Sequence, residues 1–530
     1  MRATPGFCAC VIGLLGGLLG GLLGSTSVVF AANCSALKQL KLADTTITTA
    51  ERVTSGSLEG PEIEKPLHDL PVFCRVTGVL RPSPDSDIRF EVWLPEKDWN
   101  HRFLGVGNGG FAGSIGYEGL AGNLGRGFAT AGSDTGHKGG AEDASWSLNH
   151  PEKTKDFGWR AVHLTALRAK DVIKAYYGAP VQKAYFDSCS DGGREALMEA
   201  QRFPDDYDGI LAGAPANAWT RMLSSGVSVA QGTIGPENYI PREKLPAIQR
   251  ASLAACDASD GVKDGFLSDP AQCHFDPDVL MCKGADSPDC LTVLQVQSLK
   301  RYYAGGVNDQ GKSLFPGYVM GDEEGWSDWV VGKSPGTGSG VQYVKSYFRY
   351  MVTGNPDWNV MTADVDASLR EAITKTAAEL NATNSDLSRF RARGSKLILY
   401  HGWDDPAISP WNTIDYYQTV QDVMGAKQAD SFVRLYMVPG MEHCAGGPGP
   451  SAFGQLGIPT TGGPKYGVFD SLVDWTEKGV TPQTVIATKY DSDKKAVMTR
   501  PLCPYPAIAK YKGTGDTTDA VNFACSKPVP

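Results

Sequence analysis

Two short stretches in distant parts of the chain each set a cysteine beside a residue of catalytic type. They are Ser188-Cys189-Ser190-Asp191-Gly192-Gly193 and Met441-Glu442-His443-Cys444. A bond between Cys189 and Cys444 would hold Ser190 and His443 side by side above a covalent strut. A cross-link over so long a stretch constrains the fold more than any local propensity does.

Such a bond needs an oxidising compartment, and the N-terminus points to one. Met1 to Ala32 reads as a secretory signal: Arg2 is the positive end, a Gly/Leu-rich apolar run follows from Phe7 to Phe30, and Ala31 and Ala32 offer small residues for cleavage. An uncleaved anchor is the alternative, although the glycine-rich run is weakly apolar for a spanning helix. No other segment is apolar enough to span a bilayer. Removal of residues 1–32 takes Cys8 and Cys10 with it and leaves ten cysteines: Cys34, Cys74, Cys189, Cys256, Cys273, Cys282, Cys290, Cys444, Cys503 and Cys525. An even number in an exported chain predicts disulfides, but sequence alone allows about 945 pairings. The chain is therefore expected to be secreted or periplasmic, with no membrane contact after cleavage. A formal charge of −9 without basic blocks argues against nucleic acid as a partner.

At 530 residues the chain exceeds a single compact core. Strand-like runs occur at Asp87–Leu94, Arg102–Val106 and Gly127–Ala131. A helical pattern from Phe157 to Tyr177 follows, with Val162, Ala166, Ala169, Val172, Ile173 and Tyr176 on one face and Gly178 as its stop. Then come a strand at Ala184–Asp187, a helix from about Arg194 to Arg202, and a buried strand at Gly209–Ala212. This alternation predicts an α/β fold with a mainly parallel sheet. The rhythm breaks after about residue 216 and resumes with strands at Lys396–Tyr400 and Phe432–Val438, a helix near Phe469–Lys478 and a strand near Thr484–Thr488. The expected organisation is a catalytic domain in two parts, 33–216 and 394–530, interrupted by an inserted lid domain at 217–393.

An α/β-hydrolase carries its nucleophile on a sharp strand-to-helix turn, usually G-x-S-x-G, because small residues are needed where backbones crowd. Here Ser188, Ser190, Gly192 and Gly193 fill that pattern, with strand before and helix after. Tyr400-His401-Gly402-Trp403-Asp404-Asp405-Pro406 places a carboxylate past the end of a buried strand, and His443 follows the next strand. Ser, Asp, His is the order this fold uses. Ser190 is thus the expected nucleophile, His443 the base and Asp405 the acid that orients it. Asp404 competes for the last role, with Asp187 and Glu442 behind it. The oxyanion hole is expected from the N–H groups of Asp191 and of Gly110 in the loop Gly107-Asn108-Gly109-Gly110.

The Cys-Ser-Asp-Gly-Gly elbow, the Tyr-His-Gly-Trp-Asp-Asp-Pro turn and the Gly-Met-Glu-His-Cys segment together resemble the tannase and feruloyl esterase family. The resemblance covers nearly the whole mature chain. It implies bridges Cys189–Cys444, Cys34–Cys74, Cys256–Cys273, Cys282–Cys290 and Cys503–Cys525. It also implies a serine carboxylesterase acting, through an acyl-serine intermediate, on small esters of aromatic acids of the hydroxycinnamic or gallic type. A mono(2-hydroxyethyl) terephthalate hydrolase-like esterase is the alternative on the same scaffold, and a non-catalytic, calcium-stabilised secreted binding protein is the alternative of another class.

Within the insertion, Asp257, Asp260 and Asp264 cluster between glycines in an oxygen-rich loop suited to a hard cation, with a spacing that is not an EF-hand's. The resemblance implies structural Ca²⁺ held by these side chains and the carbonyls of Val262 and Phe266, and no organic cofactor. The lid also concentrates Trp326, Trp329, Tyr343, Tyr347, Phe348, Tyr350 and Trp358, some of which could form a slot for a flat acyl group. Arg349 among them could receive a substrate carboxylate. Oligomeric state is not legible.

Overall fold

The computed structural model describes residues 33–458, 460 and 467–527; the expected signal, Met1 to Ala32, lies outside the described residues. Nine strands share one sheet: β1 (Thr45–Val53), β2 (Phe73–Leu80), β3 (Ile88–Pro95), β4 (Arg102–Val106), β5 (Ala129–Ser133), β6 (Lys183–Cys189), β7 (Gly209–Gly213), β8 (Lys396–Gly402) and β9 (Val433–Val438). Their order is β1-β2-β3-β5-β4-β6-β7-β8-β9. The β1, β2, β3 and β5 pairings are antiparallel, and every pairing from β5 across to β9 is parallel.

Strands covered on both faces read as unbroken apolar runs. In β8, Leu397, Ile398, Leu399 and Tyr400 are all fully buried. Because side chains alternate across a strand, they serve two cores. Leu397 and Leu399 pack in the cluster that holds the helices Ala161–Tyr177, Asp191–Arg202 and Pro410–Met424, while Ile398 and Tyr400 join the helix Val468–Lys478 on the opposite face. The helix Ala161–Tyr177 stops at Gly178, whose φ of +69° allows its N–H to reach Lys174 O.

Two sheet elements differ from expectation. The strand expected near Thr484–Thr488 occurs as Val485–Tyr490, but it pairs with Ala496–Leu502 in a separate two-stranded sheet. The edge of β9 meets that region through a bridge from Tyr436 to Pro504 and the Tyr505 N–H, which reaches Leu435 O at 2.8 Å, and proline has no N–H to extend the ladder. The antiparallel strands β1 and β2 escaped the sequence reading; β1 is an edge strand in which Ile47 alone is buried, so it carries almost no apolar signal.

Between β7 and β8 the chain adds no strand to the main sheet. The expected insertion, 217–393, falls within this segment, which includes the helices Trp219–Thr233, Leu245–Cys256, Val293–Ala304 and Val365–Leu380. One of its clusters, with Leu245, Ile248, Leu299, Tyr302 and Trp326, is built from the segment's own residues. Another joins Trp219, Leu223, Tyr347 and Phe348 to Phe111 and Phe157, seating the segment on the catalytic half. All five disulfides implied by the resemblance are formed.

Candidate active site

Ser190 sits at the turn from β6 into the helix Asp191–Arg202. Its φ is +68°, uncommon for a residue with a Cβ, and this bend lifts the hydroxyl clear of the sheet. The turn closes because its neighbours are small. A Cβ on Gly192 would lie 1.9 Å from Ser188 Oγ, and one on Gly193 would lie 2.3 Å from Gly213 O.

The loops after β8 and β9 bring the other two side chains to it. His443 Nε2 lies 2.8 Å from Ser190 Oγ, and His443 Nδ1 lies 2.7 Å from Asp405 Oδ2. Asp405 Oδ1 accepts the N–H groups of Ala407 and Ile408 at 2.7 and 2.9 Å. His401, four residues earlier in the same motif, also reaches Asp405 Oδ2 at 3.0 Å. Burial by itself would raise the Asp405 carboxyl, but the imidazole of His443 and hydrogen bonds from His401 and His443 hold it well below the usual range. The pair can therefore orient Nδ1–H toward the carboxylate and leave Nε2 free to accept the serine proton.

The competing acids lie elsewhere. Both Asp404 oxygens are buried without a partner, and burial, then Asp322, Glu323 and Glu442, push its carboxyl well up. Asp187 Oδ2 accepts the Leu456 N–H at 2.8 Å, and Glu442 turns toward Asp322. Cys189 and Cys444, next to Ser190 and His443, are bonded with their Cα atoms 6.0 Å apart.

Asp191 is the first residue of its helix, so its N–H has no intrahelical partner. Gly110, at φ +59°, lines the same cavity as Ser190 and Asp191. A Cβ there would lie 2.4 Å from Ala141 O and 2.7 Å from Tyr343 Oη, which explains the glycine.

A cavity of about 140 Å³ opens beside Ser190, walled by Trp219, Leu223, Val229, Phe315, Trp329, Tyr343 and Ile408. Trp329 meets the His443 ring edge-on at 5.4 Å and stacks parallel to Tyr343 at 6.0 Å. Of the aromatics singled out in the segment 217–393, Trp329 and Tyr343 line this cavity, while Trp326, Tyr347 and Phe348 are buried in apolar clusters. Arg349 does not line it; its Nε donates to Trp358 O at 3.1 Å. A guanidinium committed to a backbone carbonyl there is not placed to meet a substrate in this cavity. A wider hollow shares Ser190 and His443 and is lined by Gly107, Asn108, Glu118 and Asn123.

The profile of the family described as tannase and feruloyl esterase matches residues 74–526. The chain belongs to the tannase and feruloyl esterase family. It is 40% identical over 534 residues to an uncharacterised esterase of Xanthomonas campestris pv. campestris, covering 94% of this chain and 92% of the relative. A probable feruloyl esterase B-2 of Aspergillus flavus is 36% identical over 434 residues, covering 79% and 80%. The crystal structure of feruloyl esterase B from Aspergillus oryzae superposes with a TM-score of 0.88 at 31% identity, covering 94% of this chain and all of that one. The protein is thus a carboxylic ester hydrolase with the α/β-hydrolase fold of its family.

In this family member the acidic loop has the donors a hard cation needs. Asp260 Oδ2 and Asp264 Oδ1 are buried with no partner, while Asp260 Oδ1 accepts the Val262 N–H at 2.9 Å. Asp257 accepts the N–H groups of Asp264 and Gly265, each at 3.2 Å. Burial pushes the Asp264 carboxyl up to about 6, with Arg500 opposing and Asp260 and Asp257 adding to the rise. Arg500 is paired with Asp264. Two orphaned buried oxygens and surplus negative charge fit a cation. Among the described residues, groups of three ligand-type side chains with all ligand atoms within 4.8 Å occur at His163, Glu199 and Asp206 and at Cys282, Asp286 and Cys290, not at the three aspartates. An ion would have to draw the loop inward.

Sequence reading missed His401, although it lies in the motif that supplied Asp405. It also missed the individual importance of Trp329, one aromatic among many until the lid folds.

Proposed function

We propose that this esterase cleaves esters of uncharged aromatic acids through an acyl-serine intermediate. The observation that carries the reading is the Ser190–His443–Asp405 relay opening onto an apolar cavity of about 140 Å³. That volume is close to the roughly 150 Å³ apolar cavity that accommodates benzene. In this mechanism Ser190 Oγ attacks the ester carbonyl while His443 Nε2 takes its proton and returns it to the leaving alcohol. Asp405 stabilises the imidazolium. The N–H groups of Asp191 and Gly110 receive the developing oxyanion. Water then repeats the sequence on the acyl-serine, releasing the acid.

A terephthalate monoester carries a second carboxylate on its acyl ring. Among the described residues lining the cavity none is lysine or arginine, which favours a neutral acyl group over that alternative. The test is a serine-directed phosphonate followed by peptide mapping, alongside rates on methyl ferulate, methyl gallate, chlorogenate and the terephthalate monoester. Labelling at Ser190 with preference for a neutral aromatic ester is expected. An unlabelled Ser190 in active protein overturns the mechanism, whereas an inactive, unlabelled chain would leave the binding-protein reading.

We infer further that Asp257, Asp260 and Asp264, with the Val262 and Phe266 carbonyls, would hold a structural Ca²⁺ stabilising the lid. Five disulfides, together with the signal-like residues 1–32, support export to a secreted or periplasmic location; no described helix is long and apolar enough to cross a membrane.

A further inference from the structure

We propose that Glu195 is a positioning residue that locks the oxyanion loop onto the nucleophile helix. The proposal rests on the acyl-serine reading above. Glu195 lies one turn after Asp191 on the helix Asp191–Arg202 and is 1% exposed. Its Oε2 accepts the backbone N–H of Asn108 at 3.0 Å, reaching from the helix to the loop that carries Gly110. In return Asn108 O accepts the Gly192 N–H at 2.8 Å. The Asn108 side chain continues the chain of contacts, donating from Nδ2 to Ser114 O at 2.6 Å and to Ser133 O at 2.8 Å. The residue is therefore gripped on both sides of its backbone by the helix that begins with Asp191.

This grip matters because the two oxyanion donors belong to separate segments. The gap between Asp191 N–H and Gly110 N–H is set by whatever fastens loop to helix, and donors misplaced by about 1 Å lose much of their effect. The fit leaves no slack: a Cβ on Gly107 would lie 2.4 Å from Glu195 Oε2. A carboxyl is also a costly filler for a buried site, where an apolar side chain would pack without a desolvation penalty. What it supplies is an acceptor for a loop N–H.

The charges around it suit the task. Asp191, Arg194 and Glu199 of its own helix and the Tyr207 hydroxyl face Glu195. Burial, then Asp191, push its carboxyl well above the ordinary range, and Arg194 draws it back only in part. That direction disfavours a negative charge behind an oxyanion forming nearby.

The experiment compares Glu195→Ala, Glu195→Gln and Glu195→Met in the full chain, measuring kcat and KM on methyl ferulate, affinity for an arylboronic acid that adds to Ser190, and melting temperature. Glu195→Ala is expected to lower kcat roughly 100-fold and weaken the boronate by a similar factor, with KM within about threefold. Glu195→Gln retains an amide oxygen for the Asn108 N–H and should stay within about fivefold of the wild type. Glu195→Met keeps the side-chain length but loses the acceptor, so it should reproduce the kcat-selective loss, and it carries the test if the alanine at 195 does not fold. Wild-type kcat in a folded alanine variant overturns the proposal, as does a loss in KM alone or a glutamine variant as impaired as alanine. Phosphonate labelling separates the two readings: Ser190 labelled with kcat unimpaired sinks the positioning role alone, whereas an unlabelled wild type sinks the acyl-serine mechanism itself.

Discussion

Asp404 and Asp405 are neighbours in the chain and both are buried, yet one carboxylate is bracketed by two imidazoles while the other faces three more acids with no hydrogen-bond partner. Their separate fates follow from what each meets beyond β8. Asp405→Asn is expected to reduce kcat by about 10⁴, the scale seen when a triad acid can no longer fix the histidine tautomer. Asp404→Asn should stay within about threefold. Steady-state kinetics on an aromatic ester checks both, and equal losses would reject the assignment.

Asp404, the raised member of the pair, predicts a pH effect on stability. A carboxyl raised by folding holds its proton more tightly in the folded than in the unfolded chain. Above its ordinary value the folded state binds more protons than the unfolded state, so stability falls as pH rises and levels off past the folded value. Asp322, in contact with the same cluster, is pushed up to about 7 by burial and Glu442. The loss is therefore expected between about pH 4 and pH 7. Asp404→Asn should raise the melting temperature at pH 8 and leave it nearly unchanged at pH 4, as measured by calorimetry.

Cys189 and Cys444 close a separation of 255 residues. Chain entropy assigns such a bond about 5 kcal/mol. The double variant Cys189→Ala, Cys444→Ala should melt at lower temperature and lose at least about tenfold in kcat, because Ser190 and His443 lose their shared anchor. Wild-type kcat in the folded double variant would show that the strut is dispensable.

Trp329 lines the cavity beside His443 and meets its ring edge-on. An aromatic contact is worth about 0.5–1.5 kcal/mol, which approaches a factor of ten. Trp329→Ala should therefore raise KM for methyl ferulate several-fold more than KM for the corresponding acetate ester. A uniform change across both esters would assign Trp329 to lid packing.

Removing calcium with a chelator should lower the melting temperature, since an ion bound only by the folded state stabilises it. Asp260→Asn should abolish that response while leaving all five disulfides in place. An unchanged transition in the wild type would count against the acidic loop as an ion site.

Most of the sheet was legible because its strands are covered on both faces. Runs such as Lys396–Tyr400 and Arg102–Val106 carry their own apolar signature. The elbow was legible too, since only small residues fit where Gly192 meets Ser188. By contrast, β1 looks like a polar segment because its outer face is wet. The helix begins at Asp191, earlier than its periodicity suggested, because glycines mask the first turn.

The amino-acid sequence by itself determined which chemistry was present: a serine at a tight turn, a histidine and two candidate acids past strand ends, and cysteines flanking the first two. It could not say which acid meets His443, which cysteines join, or that Glu195 reaches Asn108. Those depend on contacts between segments remote in the chain, whose partners exist only once the sheet has set the strand ends side by side. A carboxylate's charge state likewise belongs to its surroundings, so Asp404 and Asp405 differ by tertiary contact where their chemistry is identical.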